Sequence, residues 1–121
     1  MSIESLIRSK KAVVGVIGLG YVGLPLVRLF SLKGFRVLGF DIDPEKIVKL
    51  KRGESYIKSI PNALLKKMAK KFEATADFKR LKEADAIIIC VPTPLHEDTS
   101  PDVSFIESTA RTIGQNLREG Q

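Results

Sequence analysis

The sequence holds one cysteine, Cys90, one histidine, His96, and no tryptophan. A lone thiol has no partner within the chain, which excludes a disulfide scaffold and leads us to expect a reducing, cytoplasmic setting. A lone imidazole supports neither a histidine-based metal site nor a catalytic histidine pair. Internal repeats and low-complexity tracts are absent, and so is an apolar run long enough to span a bilayer. The nearest candidate, Ala12 to Val27, follows Arg8, Lys10 and Lys11 and superficially looks like a signal peptide. Its 16 residues fall short of the roughly 20 that a membrane helix needs. Gly15, Gly18, Gly20, Gly23 and Pro25 would also ruin a continuous helix. The run reads instead as a strand, a turn and a helix, and no membrane partner is expected.

What is present suits one compact domain: 121 residues, 44% hydrophobic and 28% charged, too apolar for a disordered segment. The net charge of +6 favours anionic partners without choosing among nucleic acids, membranes and phosphorylated small molecules. Lys66, Lys67, Lys70 and Lys71 are the obvious basic cluster. They share a segment with Leu64, Leu65 and Met68 at helical spacing and lack interleaved aromatics, so they read as a solvated helix face and no nucleic-acid partner is expected.

Strand and helix patterns alternate along the chain. A polar, helical or frayed start (Met1 to Lys11) leads into Ala12 to Ile17, rich in β-branched residues and apolar on both faces, as a buried parallel strand is. Val22, Leu26, Leu29 and Phe30 then form one stripe of a helix that Gly34 ends. Phe35 to Phe40 is a second strand, closed by Asp41. Asp43, Pro44 and Gly53 punctuate a short helix as N-cap, first-turn proline and C-terminal glycine. Pro61 opens the lysine-rich helix, Phe72 to Ala76 a third strand, and Asp77 to Glu83 a short connecting helix. Ala84 to Val91 reads as the clearest buried strand. Ser104 to Glu107 has the form of a capping box, predicting a last helix from about Phe105 to Arg118 with Ile106, Ala110, Ile113 and Leu117 as its apolar stripe. Such alternation predicts an α/β fold with a parallel sheet covered on both faces.

Gly18-Leu19-Gly20-Tyr21-Val22-Gly23 is a GxGxxG between a predicted strand and a predicted helix, the context in which that pattern binds dinucleotides. Gly18 lets the chain turn, Gly20 leaves room for a pyrophosphate against the backbone, and Gly23 lets the helix approach the sheet. The free amide hydrogens and dipole at the helix N-terminus attract the phosphate charge. Asp41 follows Gly20 by 21 residues, where an acid accepts hydrogen bonds from a ribose and repels a 2′-phosphate. That favours NAD over NADP. Lys46, a turn further on, is either a solvated helix residue or a greeting for extra phosphate charge. Thr93, between Pro92 and Pro94, is either a ligand contact at a strand's carboxyl end or part of a rigid turn. Cys90 reads as a small buried core residue rather than a nucleophile.

Ile17 to Pro25, Gly39 to Asp43, Gly53 to Ile57 and Cys90 to Leu95 occur in an order that resembles the N-terminal NAD-binding domain of the UDP-glucose/GDP-mannose dehydrogenase family. The third and fourth segments look more like those of UDP-N-acetylhexosamine 6-dehydrogenases. The resemblance implies a Rossmann-type doubly wound sheet over residues 1–121, part of a longer dehydrogenase whose central and C-terminal domains are absent. It implies a cytoplasmic enzyme of polysaccharide biosynthesis, homo-oligomeric at full length, that oxidises the C6 alcohol of a UDP-sugar to a carboxylate in two NAD-dependent steps, through a thiohemiacetal and a thioester on a cysteine. By position it assigns Gly18, Gly20, Tyr21, Val22 and Gly23 to the pyrophosphate loop, Asp41 to the ribose, Lys46 to a neighbouring basic contact and Thr93 to the cofactor. The family's catalytic cysteine, lysine and asparagine lie further along than residue 121, so these residues are expected to bind cofactor and catalyse nothing alone. Two alternatives share the opening motif: a β-hydroxyacid or 6-phosphogluconate-type dehydrogenase, and a dinucleotide-sensing regulatory module without chemistry.

Overall fold

The computed structural model describes residues 2–121; Met1, in the expected N-terminal segment, lies outside them. Four short strands, β1 (Val13–Ile17), β2 (Arg36–Phe40), β3 (Phe72–Thr75) and β4 (Ala86–Ile89), form one sheet in the order β3-β2-β1-β4. Every pairing is parallel, with Val13 opposite Arg36, Ile17 opposite Phe40 and Ile89, and Phe40 opposite Thr75. Parallel strands need crossover connections. α2 (Gly23–Leu32) joins β1 to β2, α3 (Pro44–Lys51) and α4 (Asn62–Met68) join β2 to β3, and a 3-10 helix (Phe78–Glu83) joins β3 to β4. α1 (Ile3–Arg8) precedes the sheet and α5 (Ser104–Gln115) follows it. This is the doubly wound α/β arrangement expected from the alternation.

Each face of the sheet carries its own apolar layer. On one, Val14, Val16 and Val37 meet Leu24 and Val27 of α2, Ile47 and Leu50 of α3, and Leu65 and Met68 of α4. On the other, Ile17, Leu38 and Phe40 meet Leu81, with Phe78, Ile87 and Ile113 packed alongside. Val16, Leu24, Val27 and Met68 are wholly buried, each such burial contributing about 1.5–3 kcal/mol. β1 and β4 are neighbours whose following helices go to opposite faces. The carboxyl ends of those two strands therefore diverge around a crevice, the position at which open α/β sheets bind ligands.

Local signals held at α3, where Asp43 Oδ1 accepts the Glu45 N–H at 2.9 Å, Pro44 opens the helix and Gly53 follows it at φ 75°. Three expectations need correction. The buried stripe of α2 is Gly23, Leu24, Val27 and Ser31, while Val22 and Leu29 are exposed. α2 is apolar on nearly every side, so periodicity alone does not choose a face; the close seat of Gly23 at its first turn does. β4 is an edge strand, half-buried, with Ile89 at the surface, because β1 pairs with it from one side only. At α5 no capping box forms. Asp102 Oδ1 accepts the Ser104 N–H at 2.9 Å, and the helix stops at Gln115. Ile106, Ala110 and Leu117 are exposed, and only Ile113 of the expected stripe reaches the core. Arg118 leaves the helix to reach the Ala84 carbonyl at 3.0 Å and Asp85 Oδ1 at 2.6 Å. Among the described residues no helix is long and apolar enough to cross a membrane.

Candidate functional site

β1 delivers the chain to Gly18, whose N–H donates to the Phe40 carbonyl at 2.8 Å and whose φ is +97°. A side chain there would be strained, and its Cβ would lie 2.4 Å from the Cys90 carbonyl oxygen at the end of β4. Leu19 then plugs the core, fully buried, with its N–H on Asp41 Oδ2 at 2.9 Å and its carbonyl accepting the Tyr56 hydroxyl. A Cβ on Gly23 would lie 1.6 Å from the Gly18 carbonyl oxygen, so this glycine lets the turn close at the first residue of α2. Gly20 differs from both: a Cβ on it meets nothing within 4 Å.

Open space beside Gly20 belongs to a cavity of about 850 Å³ at the crevice between β1 and β4. Among the described residues, the backbone N–H groups of Gly20, Tyr21 and Val22 donate to no protein acceptor, whereas the Leu24 N–H bonds the Gly20 carbonyl at 3.1 Å and starts the helix. Three consecutive free donors at a helix N-terminus, beside a glycine whose missing side chain leaves clearance, fit a phosphate group. The structure brings Gly18, Gly20, Tyr21, Val22, Asp41, Lys46 and Thr93 together on this cavity. Gly23 is not on its wall; it shapes the loop from behind.

Asp41 is buried, and its carboxylate is already engaged. Oδ2 takes the Leu19 N–H and Oδ1 the Asp43 N–H, both at 2.9 Å, while the Lys46 ammonium stands 3.8 Å from Oδ2. A carboxylate has about four acceptor positions, so two remain open. The Lys46 ammonium also lies 5.8 Å from the centroid of the Tyr56 ring. Thr93 is exposed on the β4 side of the cavity, within the irregular Pro92–Pro94 segment.

Cys90 departs from expectation. It is half-buried on the cavity wall rather than sealed in the core, because β4 ends at Ile89 and the strand's end opens onto the crevice. Burial pushes its thiol pKa up, which keeps it protonated and a poor nucleophile. His96 sits outside the cavity wall with Nε2 3.9 Å from Asp102 Oδ1, and no three potential metal ligands cluster among the described residues.

The residue pattern also missed part of the wall. Ile42, Phe78, Val91 and Phe105 make an apolar lining, and Thr109 and Thr112 add hydroxyls from α5. Phe105, Thr109 and Thr112 stand at i, i+4 and i+7, a helix face that spacing could have revealed. Phe78 carries no such signal, and tertiary closure brings it in; Tyr56 stands behind the loop, on a smaller cavity of its own. The Tyr56 phenol, its pKa raised first by burial and then by the charges of Asp41 and Asp43, stays a hydrogen-bond donor at neutral pH.

Comparison with known proteins follows the same outline. The model of the UDP-glucose/GDP-mannose dehydrogenase family, NAD binding domain, matches residues 12–121. The UDP-N-acetyl-D-mannosamine dehydrogenase of Escherichia coli K12 is 38% identical over 109 residues, covering 90% of this chain and 26% of the relative. The UDP-N-acetyl-D-glucosamine 6-dehydrogenase of Pseudomonas aeruginosa is 36% identical over 107 residues, covering 88% and 25%. The solved UDP-D-ManNAc dehydrogenase of Pyrococcus horikoshii superposes with a TM-score of 0.82 at 36% identity, covering 89% of this chain and 26% of that one. The chain thus spans about a quarter of the length of these relatives.

Proposed function

The chain belongs to the UDP-glucose/GDP-mannose dehydrogenase family as its NAD-binding domain, and from that premise we propose that it is the cofactor-binding part of a longer dehydrogenase that oxidises the C6 alcohol of a UDP-N-acetylhexosamine to a carboxylate. One observation carries the cofactor half of this reading: three free backbone donors and one buried carboxylate face the same cavity. The substrate half rests on relatives named for UDP-N-acetylmannosamine and UDP-N-acetylglucosamine.

Each residue has a physical task. The N–H groups of Gly20, Tyr21 and Val22 receive the pyrophosphate, whose charge the α2 dipole favours. Gly18 and Gly23 hold the loop in the shape that frees those donors. Asp41 accepts the adenosine ribose hydroxyls on its two unused positions. A 2′-phosphate at the same place meets the Asp41 carboxylate, which sets NAD above NADP. Lys46 keeps the carboxylate charge-paired, and Thr93 approaches from the β4 side. The apolar wall of Ile42, Phe78 and Val91 excludes water around the base. When bound, NAD supplies the hydride acceptor for alcohol oxidation.

Titration of the chain with NAD and with NADP tests the cofactor half. The expected result is at least tenfold tighter binding of NAD; equal affinities, or no binding of NAD, overturn it. The substrate half is tested by assaying the longer protein against UDP-N-acetylmannosamine, UDP-N-acetylglucosamine and UDP-glucose. Turnover of UDP-glucose alone overturns it.

A further inference from the structure

We propose that Tyr56 is a positioning residue for the pyrophosphate loop: through its hydroxyl it clamps the Leu19 carbonyl and so aims the Gly20 N–H, an inference that rests on the loop being the cofactor cradle proposed above. The bond joins residues 37 apart in the sequence, from a part-buried phenol to the backbone of the glycine loop. The Leu19–Gly20 peptide is planar and trans, so its C=O and N–H point to opposite sides. A carbonyl held at Tyr56 therefore turns the Gly20 N–H away from the tyrosine, and that N–H is the first of the consecutive loop donors without a protein partner.

The clamp has a partner and a rigid mount. Asp41 Oδ2 takes the Leu19 N–H at 2.9 Å, so successive peptide planes on either side of Leu19 are each fixed by one side chain. Leu19 itself is wholly buried, which leaves the loop little freedom to pivot. Tyr56 rides on a segment anchored on both sides of it: the Ser55 N–H bonds Asn62 Oδ1 at 2.8 Å, and Ile57 and Ile60 are buried in the core that also holds Leu19. The segment that carries Tyr56 lies between α3 and α4, so this crossover has a task beyond connection. A smaller cavity of about 270 Å³, lined by Gly20, Tyr21, Lys46 and Tyr56, lies on the tyrosine's side of the loop. Without the hydroxyl, water entering there would be the carbonyl's replacement partner, and the peptide would be held less firmly.

Tyr56→Phe removes the hydroxyl and keeps the ring. Binding of NAD, ADP and adenosine to the variant and the unmutated chain separates positioning from packing. The expected result is about tenfold weaker NAD and ADP binding with adenosine within about twofold, together with faster exchange of the Leu19 amide, the loop N–H that is hydrogen-bonded to Asp41, and no change at Val16 or Val37. Equal weakening of all three ligands indicates damaged packing and overturns the inference, as does no change in any. In the unmutated chain the Tyr56 hydroxyl proton should exchange slowly with water, and a freely exchanging one overturns the clamp without any variant. A chain that binds NAD nowhere, seen before any variant is made, overturns the cofactor reading and this inference with it. Tight NAD binding by both proteins overturns the inference alone.

Discussion

The Asp41 carboxylate at the end of β2 accepts the Leu19 N–H of the glycine loop at 2.9 Å, across 22 residues. An acid at this position is expected to serve the ribose. Here it also fastens the loop after β1 to the end of β2, and its other oxygen bonds the Asp43 N–H at the start of α3. In the cofactor reading proposed above, cofactor selection and loop shape share one side chain.

Replacing Asp41 should therefore cost stability as well as affinity. Asp41→Asn substitutes a donor for one acceptor and leaves a backbone N–H without its partner, a loss of about 1–3 kcal/mol for a buried group. Thermal denaturation should show that loss. Calorimetry should show NAD binding at least tenfold weaker and NADP binding less affected, so the preference narrows. Unchanged stability with weakened NAD binding would mean that the Leu19 bond contributes nothing to the fold.

The glycines of the loop should separate by task. Gly23→Ala drives a methyl into the Gly18 carbonyl and should destabilise the chain by about 3 kcal/mol or more, the upper end of overpacking. Gly20→Ala meets open space, so the melting temperature should hardly move while NAD affinity falls at least tenfold as the methyl occupies the phosphate's place. A destabilised Gly20→Ala, or one that binds NAD normally, contradicts this division.

Cys90 reports on occupancy. Its pKa is raised by burial, so alkylation near pH 7 should be slower than that of a free cysteine and should quicken as pH rises. Because Cys90 lines the cavity, saturating NAD should slow it further. Mass spectrometry of the modified chain measures both effects. A rate indifferent to NAD would place the dinucleotide away from the β4 end.

Much of this was legible beforehand, for physical reasons. β1 is dense in β-branched residues and β2 is apolar apart from Arg36, and the glycine spacing is set by steric demands that no other residue meets at Gly18 and Gly23. α2 misled because Leu26, Leu29, Phe30 and Leu32 surround it with apolar side chains, so its orientation depended on the seat of Gly23. β4 misled because composition does not tell an edge strand from a central one. At α5 the N-cap falls on Val103 and Asp102 Oδ1 takes the Ser104 N–H in place of a Ser104 cap, while Arg118 was drawn to Asp85 rather than to another helical turn. Tyr56 and Phe78 reach the site only through tertiary packing, across 37 residues in the case of Tyr56 and Leu19.

An acid limb of stability should trace to Arg80. Hydrogen bonds from its guanidinium, more than its charge, hold the carboxyls of Glu73 and Glu83 below the usual glutamate range. A carboxyl whose pKa is lowered on folding contributes stability above its unfolded pKa and loses it as pH falls through the folded value. The groups are largely exposed, so the contribution is up to about 1 kcal/mol. Arg80→Met should lower stability near pH 7 and flatten its decline below about pH 4.5, as denaturant titrations across pH would record. An unchanged acid limb would sever the link to Arg80.

The central claim is that the free donors after β1 and the acid closing β2 hold one dinucleotide between them. Nuclear magnetic resonance titration of the isotopically labelled chain with NAD reads this residue by residue. The account predicts the largest amide shifts at Gly20, Tyr21 and Val22, with Ile42, Asp43 and Thr93 following and the α4 lysines unmoved. Shifts centred on α4, or a silent glycine loop at saturation, would contradict it.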